Sequence, residues 1–205
     1  MLKPYYINNI YEAGCDEAGR GPLAGDVFAA AVVWNCKDVD TGMAEMLNDS
    51  KQLTDRQRYE LRPWIERNAL CWAVGKATVE EIDKLNILNA AILAMHRALD
   101  RLKIRPEHII VDGNRFKAYI DPETGIAVPH LTVVKGDGKY MSIAAASILA
   151  KTYRDDYMTA LHGEYPHYGW DRNKGYPTQE HYEAIARYGL TPYHRSTFRL
   201  YKDNN

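Results

Sequence analysis

Four carboxylates stand where short apolar runs of the sequence end, close to glycines: Asp16, Glu17, Asp112 and Asp137. If these runs are strands of one sheet, the carboxylates gather at one edge of it. Carboxylates held together repel one another and keep protons unless a divalent cation that prefers oxygen ligands neutralises them. Two Mg²⁺ or Mn²⁺ ions in such a cluster clamp a phosphate for in-line attack by water. Taken singly, an aspartate beside a glycine is more often a turn residue, so this prediction depends on the strands lying together.

A glycine-rich segment follows the first two carboxylates. Gly19 and Gly21 allow the backbone to leave β geometry there, which would let Asp16 and Glu17 converge although they stand on opposite faces of a strand. A dinucleotide-binding loop is not supported, because an apolar strand-like run follows instead of a helix and Pro22 lacks an amide donor. The remaining amides are free to contact a phosphate or a sugar hydroxyl, and plain turn chemistry without a ligand is the alternative.

Zinc, disulfide and thiol chemistry are not supported. The seven histidines show no spacing typical of zinc ligands, and the three cysteines are too few and too scattered for a disulfide framework. Cys15 stands beside Asp16 with no basic neighbour to lower its pKa. We therefore interpret Cys15 as a small strand residue rather than a nucleophile.

The few scattered cysteines, with the lack of a membrane helix or signal-peptide core, predict a cytoplasmic protein. The 205 residues are 46% hydrophobic and 26% charged, which is typical of globular chains and excludes disordered and collagen-like classes. The formal net charge is −1, so any basic surface for nucleic acid must be local. The longest apolar run, residues 27–34, is far shorter than the roughly 20 residues of a membrane helix, and no signal-peptide core follows the first residues. We expect a monomer with no membrane partner.

Hydrophobic periodicity predicts the elements that must position the carboxylates. Strands are predicted at residues 13–16, 27–34, 70–78, 108–112 and 125–134, the last as the second arm of a hairpin that begins near Phe116. Helices are predicted at residues 54–68, 86–102 and 142–161. Thr54 is the expected N-cap of the first helix, whose four arginines we place on its solvated face: Arg56, Arg58, Arg62 and Arg67. Strands that come first and then alternate with helices predict a mixed α/β sheet covered by helices.

The end of the chain differs from the rest in composition. We place a main domain at residues 1–163 and a small helical extension of the same unit at residues 164–205. Residues 165–201 hold nine of the 22 aromatic side chains. Four basic residues without an acid among them follow at residues 187–202: Arg187, Arg195, Arg199 and Lys202. The pattern predicts a basic, aromatic surface that holds a nucleic-acid duplex.

Six short motifs stand in one order along residues 14–199: Asp16-Glu17-Ala18-Gly19-Arg20-Gly21-Pro22, Asn48-Asp49-Ser50-Lys51, Val111-Asp112-Gly113-Asn114, Val134-Lys135-Gly136-Asp137, Ser147-Ile148-Leu149-Ala150-Lys151 with Arg154-Asp155, and Lys174-Gly175-Tyr176-Pro177-Thr178. This series resembles the ribonuclease HII family, the type 2 ribonucleases H. Arg20 between two glycines favours that family over the sister ribonuclease HIII family, which typically has lysine there. Residues 118–125 look like an added hairpin turn compared with shorter members.

The resemblance implies a ribonuclease H-like fold, a mixed central sheet flanked by helices with a short helical C-terminal extension. It also implies a metal-dependent endonuclease that acts on the RNA strand of RNA–DNA hybrids and on single ribonucleotides embedded in duplex DNA. The expected cut lies on the 5′ side of the ribonucleotide and leaves 3′-hydroxyl and 5′-phosphate ends.

Matched positions carry the family's roles onto this sequence. The Mg²⁺ or Mn²⁺ ligands are expected to be Asp16, Glu17, Asp112 and Asp137. Gly19, Arg20 and Gly21 match the segment that reads the ribose 2′-hydroxyl, the group that distinguishes RNA from DNA. Tyr176 matches the tyrosine that stacks on the neighbouring sugar. The motif residues expected near the substrate backbone are Lys51, Ser147, Lys151 and Arg154.

Two alternatives stay open from the sequence. Lys151 and Arg154 are three apart on a predicted helix, so both can face a phosphate track, or both can belong to a solvated helix face. The chain can also be a catalytically silent hybrid-binding module or a resolvase-like nuclease of the same fold that acts on branched DNA. Retention of all four acids argues against the silent module.

Overall fold

The computed structural model describes residues 2–34, 46–47 and 53–200 of the chain. Its centre is a mixed sheet of five strands: β1 Glu12–Ala18, β2 Val27–Val33, β3 Cys71–Ala77, β4 His108–Asp112 and β5 His130–Val133. Six helices accompany it: α1 Asp55–Asn68, α2 Val79–Leu85, α3 Ile87–Asp100, α4 Met141–Glu164, α5 Trp170–Asn173 and α6 Gln179–Tyr188. The predicted mixed sheet flanked by helices is therefore confirmed.

The order of strands in the sheet is β3-β2-β1-β4-β5. β1 pairs antiparallel with β2 and parallel with β4, and β4 pairs parallel with β5. Parallel strands end at the same edge of a sheet, and Cys15 of β1 is in register with Val111 of β4. The residues that follow, Asp16 and Asp112, therefore lie side by side at that edge.

Small residues let helices pack closely on both faces of the sheet. On one face, alanines of β1 and β2 pack against alanines of α3, which include Ala90, Ala94 and Ala98. On the other face, α4 crosses β1 so closely that a Cβ atom on Gly14 would lie 2.4 Å from the backbone of Ser142. This contact fixes the start of α4 against the strand that carries Asp16.

The helix boundaries agree with their sequence signals. Thr54 caps α1 with a capping box that includes Gln57, as its position before the apolar run predicts. Asn86 caps α3. Arg58 is an exception to the predicted solvated face of α1, since it is buried. Its spacing from Leu61 and Ile65 places it on the buried face of the helix.

The predicted hairpin arm at residues 125–134 is wrong over most of its length. Only residues 130–133 form a strand, β5, which runs parallel to β4 instead of pairing back on residues near Phe116. A short antiparallel hairpin does form before β5, since Ile120 bridges Ala127, the Val128 amide donates to the carbonyl of Tyr119 and the Asp121 amide to that of Ile126. Pro129 lacks an amide donor at the start of β5, and Ile126 is 68% exposed, so this stretch lies outside the sheet.

The C-terminal helices pack on the main body of the protein. Trp170 and Ile185 join one buried cluster with Leu23, Ala24 and residues of α4 that include Met158 and Leu161. The backbone nitrogen of Leu23 also donates to the carbonyl of Gly175. The C-terminal segment thus packs against the glycine-rich segment near the front of the chain. No helix of the described ranges is long and apolar enough to span a membrane.

Candidate active site

β1 brings two carboxylates to the edge of the sheet. Asp16 faces α4, where its carboxylate accepts a hydrogen bond from the Ser147 side chain, and its Oδ1 also accepts the Glu17 amide at 2.7 Å. Glu17 points to the opposite face, yet both side chains line the same cavity. The expected departure from β geometry at these residues is wrong, because β1 stays paired with β2 through Ala18. The open end of the strand, rather than a bend, lets both side chains reach the cavity.

Asp112 and Asp137 lie in different settings. Asp112 ends β4 and lines the cavity, and its Oδ1 accepts the Gly136 amide at 2.7 Å. Asp137 lies in a short 3₁₀ turn beyond β5 and is buried. Its Oδ1 accepts the Gly138 amide at 3.0 Å, and it is not among the residues that line the cavity. The Gly136 bond nevertheless joins the turn that carries Asp137 to Asp112.

The carboxylates repel one another. Burial, then the charges of Glu17 and Asp112, raise the pKa of Asp16 well above its ordinary value, although hydrogen bonds from Ser147 and the Glu17 amide oppose the shift. Within residues 2–34, 46–47 and 53–200, no three His, Cys, Asp or Glu side chains are close enough together to hold a metal ion as they stand. The chemistry of these carboxylates still fits a hard divalent cation, since three of them, Asp16, Glu17 and Asp112, offer oxygen ligands to one cavity and repel one another there.

The cavity has a volume of about 500 Å³. It brings together nine of the residues that the sequence predicts for the site: Asp16, Glu17, Gly19, Arg20, Gly21, Asp112, Ser147, Lys151 and Tyr176. Asp137 and Arg154 do not line it, and Lys51 lies outside the described residues. Arg58 and Ile87 also line it, and sequence analysis did not assign either to the site. The helical spacing of Arg58 from Leu61 and Ile65 would have indicated that Arg58 lies on the buried face of α1 rather than in solvent.

Residues 19–25, called the glycine loop below, form part of the cavity wall. Gly19 has φ +98°, a conformation that L side chains rarely adopt, and a Cβ atom there would lie 2.0 Å from Nε of Arg154. Arg20 is exposed and pairs with Glu17 at 3.2 Å. Gly21 lies against the ring of Tyr176, which a Cβ atom would meet at 3.6 Å. The loop therefore bridges the carboxylates and Tyr176.

Arg154 does not face a phosphate track, so that expectation is wrong. Its side chain is 1% exposed and lies beneath the glycine loop. The guanidinium donates from three nitrogens, at 3.0 Å each, to backbone carbonyls of Asp26, Lys174 and Ala24. Lys151, one turn earlier on α4, does line the cavity, and its Nζ donates to Asp155 at 2.7 Å.

The predicted basic, aromatic surface of the C-terminal segment is wrong for its central residues. Arg195 is fully buried and donates only to backbone carbonyls. Tyr168 and Trp170 are buried as well. Arg187 and Arg199 are exposed, whereas Lys202 lies outside the described residues. Interior packing rather than a solvent face explains why aromatic residues concentrate here.

Two buried histidines hold the turn that carries Tyr176. Nδ1 of His181 lies 3.0 Å from the carbonyl oxygen of Tyr176, and its Nε2 lies 3.2 Å from Nε2 of His194. The Thr191 amide donates to Nδ1 of His194 at 2.9 Å. The Trp170 indole donates to Nε2 of His181 at 3.1 Å, so one nitrogen of each ring accepts a hydrogen bond and both rings are neutral, with His181 donating through Nδ1. Burial and the neighbouring histidine lower the pKa of His194 to about 4.

Comparison with known proteins identifies the family. The profile of the family described as Ribonuclease HII matches residues 13–201. Ribonuclease HII of Phocaeicola vulgatus is 65% identical over 200 residues, which cover 98% of this chain and 94% of that protein. The chain belongs to the ribonuclease HII family. Members are hydrolases, endonucleases with ribonuclease H activity on the RNA of RNA–DNA hybrids.

Solved structures of this family and its sister share the fold. The ribonuclease H2 of Pyrococcus horikoshii OT3 superposes with a TM-score of 0.74 at 29% identity, covering 93% of this chain and 95% of that one. A second structure, Bst-RNase HIII in complex with Mn²⁺, superposes with a TM-score of 0.74 at 21% identity, covering 95% of this chain and 69% of that one. The latter shows likeness of fold alone. Membership of the ribonuclease HII family agrees with Arg20 in the glycine loop.

Proposed function

We propose that this member of the ribonuclease HII family also incises duplex DNA at single embedded ribonucleotides, on their 5′ side. One observation carries the proposal: the carboxylates of β1 and β4 share a cavity with the glycine loop and Tyr176. Because the carboxylates adjoin the residues proposed to contact a single ribose, substrate recognition in this cavity does not require a long stretch of RNA. It supports recognition of a ribonucleotide that stands alone between deoxyribonucleotides.

The carboxylates are the proposed ligands of Mg²⁺ or Mn²⁺. Asp16, Glu17 and Asp112 line the cavity, and the turn that carries Asp137 is hydrogen-bonded to Asp112. A divalent ion held there supplies a charged clamp for the phosphate and lowers the pKa of bound water. Ser147 orients the Asp16 carboxylate through its hydrogen bond. The mutual repulsion that raises the pKa of Asp16 supports binding of the ion.

Recognition of ribose is proposed for the glycine loop and Tyr176. The absence of side chains at Gly19 and Gly21 lets backbone groups approach a 2′-hydroxyl, the group that DNA lacks. Tyr176 is 41% exposed and its ring adjoins Gly21, so it can stack on the next sugar. Lys151 supplies a positive charge for the substrate backbone, and Lys51 is proposed to do so from outside the described residues.

The position of the cut decides the nucleophile. The 2′-hydroxyl adjoins the phosphate on the 3′ side of its own sugar, so it cannot attack the bond on the 5′ side. Water must therefore attack, and the products carry a 3′-hydroxyl on the upstream DNA and a 5′-phosphate on the ribonucleotide. Arg154, which is buried beneath the glycine loop, is proposed to make no direct contact with substrate.

The proposal is tested on a labelled DNA duplex that carries one ribonucleotide, with and without Mg²⁺ or Mn²⁺. We expect metal-dependent nicking, with the end groups above identified by mass spectrometry. An all-DNA duplex and a branched DNA are the controls and should stay intact. A 2′,3′-cyclic phosphate product would contradict both the cut position and the role of water. Cleavage of branched DNA alone would favour a resolvase-like enzyme, and binding without cleavage a silent module.

The state of the enzyme in the cell is also a proposal. We propose a cytoplasmic monomer, with residues 164–205 acting as an extension of one catalytic unit. Cys15 and Cys71 are both free and buried, which fits a reducing compartment. Sedimentation of the full chain, with and without duplex, tests the monomer.

A further inference from the structure

Two buried arginines hold the glycine loop from beneath. Arg195 uses all of its guanidinium nitrogens on four carbonyls of this loop: Nη2 to Gly19 and Gly25, Nη1 to Arg20 and Pro22, and Nε to Gly25. These five bonds measure between 2.7 and 3.1 Å. An arginine has five N–H donors, so the side chain is fully satisfied by one loop.

The second arginine joins the loop to its neighbour. Arg154 donates to the carbonyl of Ala24, within the glycine loop, and to that of Lys174, two residues before Tyr176. The backbone nitrogen of Leu23 donates to the carbonyl of Gly175 at 2.8 Å. The loop and the turn that carries Tyr176 are thus bonded to each other both directly and through one guanidinium.

This arrangement is costly for stability alone. Burial and repulsion by Arg154 lower the pKa of Arg195 to about 9. Buried Asp26 lies near both guanidiniums and offsets part of this repulsion. Replacing buried charges with apolar side chains of similar volume often leaves a protein as stable or makes it more stable. What the guanidiniums supply, and apolar residues cannot, is a fixed direction for five carbonyls of the glycine loop, those of Gly19, Arg20, Pro22, Ala24 and Gly25.

We propose that Arg195 and Arg154 are positioning residues for ribose recognition, which lock the glycine loop and the Tyr176 turn into one preformed reader of the sugar. The inference rests on the proposed role of that loop and of Tyr176. A rigid reader meets the 2′-hydroxyl without first ordering itself, and it presents the adjoining phosphate to the carboxylates at a fixed distance. Neither arginine touches substrate.

The test compares kcat and KM of full-length variants on the duplex with one ribonucleotide. Arg195→Lys keeps the charge but has too few donors to hold four carbonyls. We expect its kcat to fall about 100-fold, as for a reacting group misplaced by about 1 Å, while KM changes less than about threefold. Arg154→Lys should show the same split, because it releases the Tyr176 turn from the loop.

The matched control removes a contact of the segment that follows Arg195 without changing any contact to the glycine loop. Asp83 accepts four hydrogen bonds from Ser196 and Thr197, the residues that follow Arg195. Asp83→Ala should lower the melting temperature yet leave kcat within about twofold at a temperature well below melting. An equal fall in kcat for Asp83→Ala and Arg195→Lys would overturn the proposal, as would an Arg195→Lys enzyme with wild-type kcat.

Hydrogen exchange on the unsubstituted protein keeps the inference testable if the variants do not fold. The amides of Leu23 and Gly25 donate to Gly175 and Tyr193, so we expect them to exchange as slowly as amides of β1. Exchange at the rate of an unstructured peptide would overturn a preformed reader. If the wild-type enzyme cuts long hybrids but ignores the single ribonucleotide, the proposed function fails, and the same variants measured on hybrids still decide the positioning role.

Discussion

The two parts of the cavity wall carry charge in opposite ways. Asp16, Glu17 and Asp112 line one cavity, and burial with mutual repulsion raises the pKa of Asp16. The carbonyls of the glycine loop, by contrast, accept hydrogen bonds from buried guanidiniums that belong to the protein itself. Under the proposed function, the carboxylates would need a divalent cation to offset their mutual repulsion, whereas the hydrogen bonds that hold the glycine loop lie within the protein. We infer that a bound ion would order the carboxylates, whereas the buried arginines order the glycine loop without a ligand.

Removing a carboxylate should give the largest effect. Asp112→Asn keeps an oxygen for the Gly136 amide and relieves repulsion on Asp16, so the fold should persist without loss of stability. Nicking in Mg²⁺ should fall about 1,000-fold, because loss of a metal ligand costs several kcal/mol of transition-state stabilisation. Nicking assays and thermal melting on one preparation measure both. Near wild-type nicking would show that Asp112 is not a metal ligand needed for cleavage.

A side chain on the glycine loop should damage both activity and stability. Gly19→Ala combines an unfavourable φ of +98° with a Cβ atom 2.0 Å from Arg154. Strain and overpacking together predict a loss of about 2–5 kcal/mol in the free energy of unfolding. Gly125→Ala is the control, since its φ is +67° but nothing lies within 4 Å. It should lose only about 1–2 kcal/mol and keep full activity. Equal losses in denaturant titrations would mean that Arg154 does not confine the loop.

Stability should depend on pH through the histidines behind Tyr176. The pKa of His194 falls from 6.5 to about 4 on folding, so the unfolded chain binds more protons between these values. The free energy of unfolding is therefore fully retained above pH 6.5 and falls as the pH falls, by about 2 kcal/mol at pH 5. Denaturant titrations from pH 7.5 to pH 5 measure the slope. His194→Gln cannot take up this proton and should flatten the slope, and an unchanged slope would place the uptake elsewhere.

The smallest effect is expected at Lys151. This side chain lines the cavity without holding either part of the wall in place. Lys151→Ala should weaken binding to ribonucleotide-containing and all-DNA duplexes alike, by a few fold, and lower the slope of log affinity against log salt by about 1. Arg172→Ala is the matched control, an exposed cation on α5 that does not line the cavity. If Lys151→Ala changed the preference for ribonucleotide-containing over all-DNA duplexes, Lys151 would take part in ribose recognition together with the glycine loop.

The sequence predicts the sheet and the acid part of the site well. Apolar runs that end in acids mark β1 and β4, and their parallel pairing places Asp16 beside Asp112. Nearly all of the predicted strands and helices are present within a few residues. Short-range patterns specify these features, since alternation and capping depend on neighbours along the chain.

The sequence predicts poorly which charged side chains are buried. Arg154 and Arg195 have the pattern of solvated or substrate-facing arginines, yet both are buried beneath the glycine loop. Their partners are backbone carbonyls, which leave no trace in residue identity, and those of Arg195 lie more than 160 positions away. Asp137 shows the same limit on a smaller scale. The turn that carries it is fixed by the left-handed backbone at Lys135 rather than by the end of a strand.

The long sequence separation between Arg195 and its hydrogen-bond partners has a consequence for folding during synthesis. This side chain meets carbonyls that were synthesised 170 to 176 residues earlier. Chains are made from the N-terminus, and contacts between distant residues form late. Before the ribosome adds Arg195, β1 to β5 and α4 have been synthesised, but the glycine loop lacks this guanidinium. Until Arg195 has been synthesised, the growing chain is therefore expected to carry the carboxylates without a preformed loop for ribose recognition.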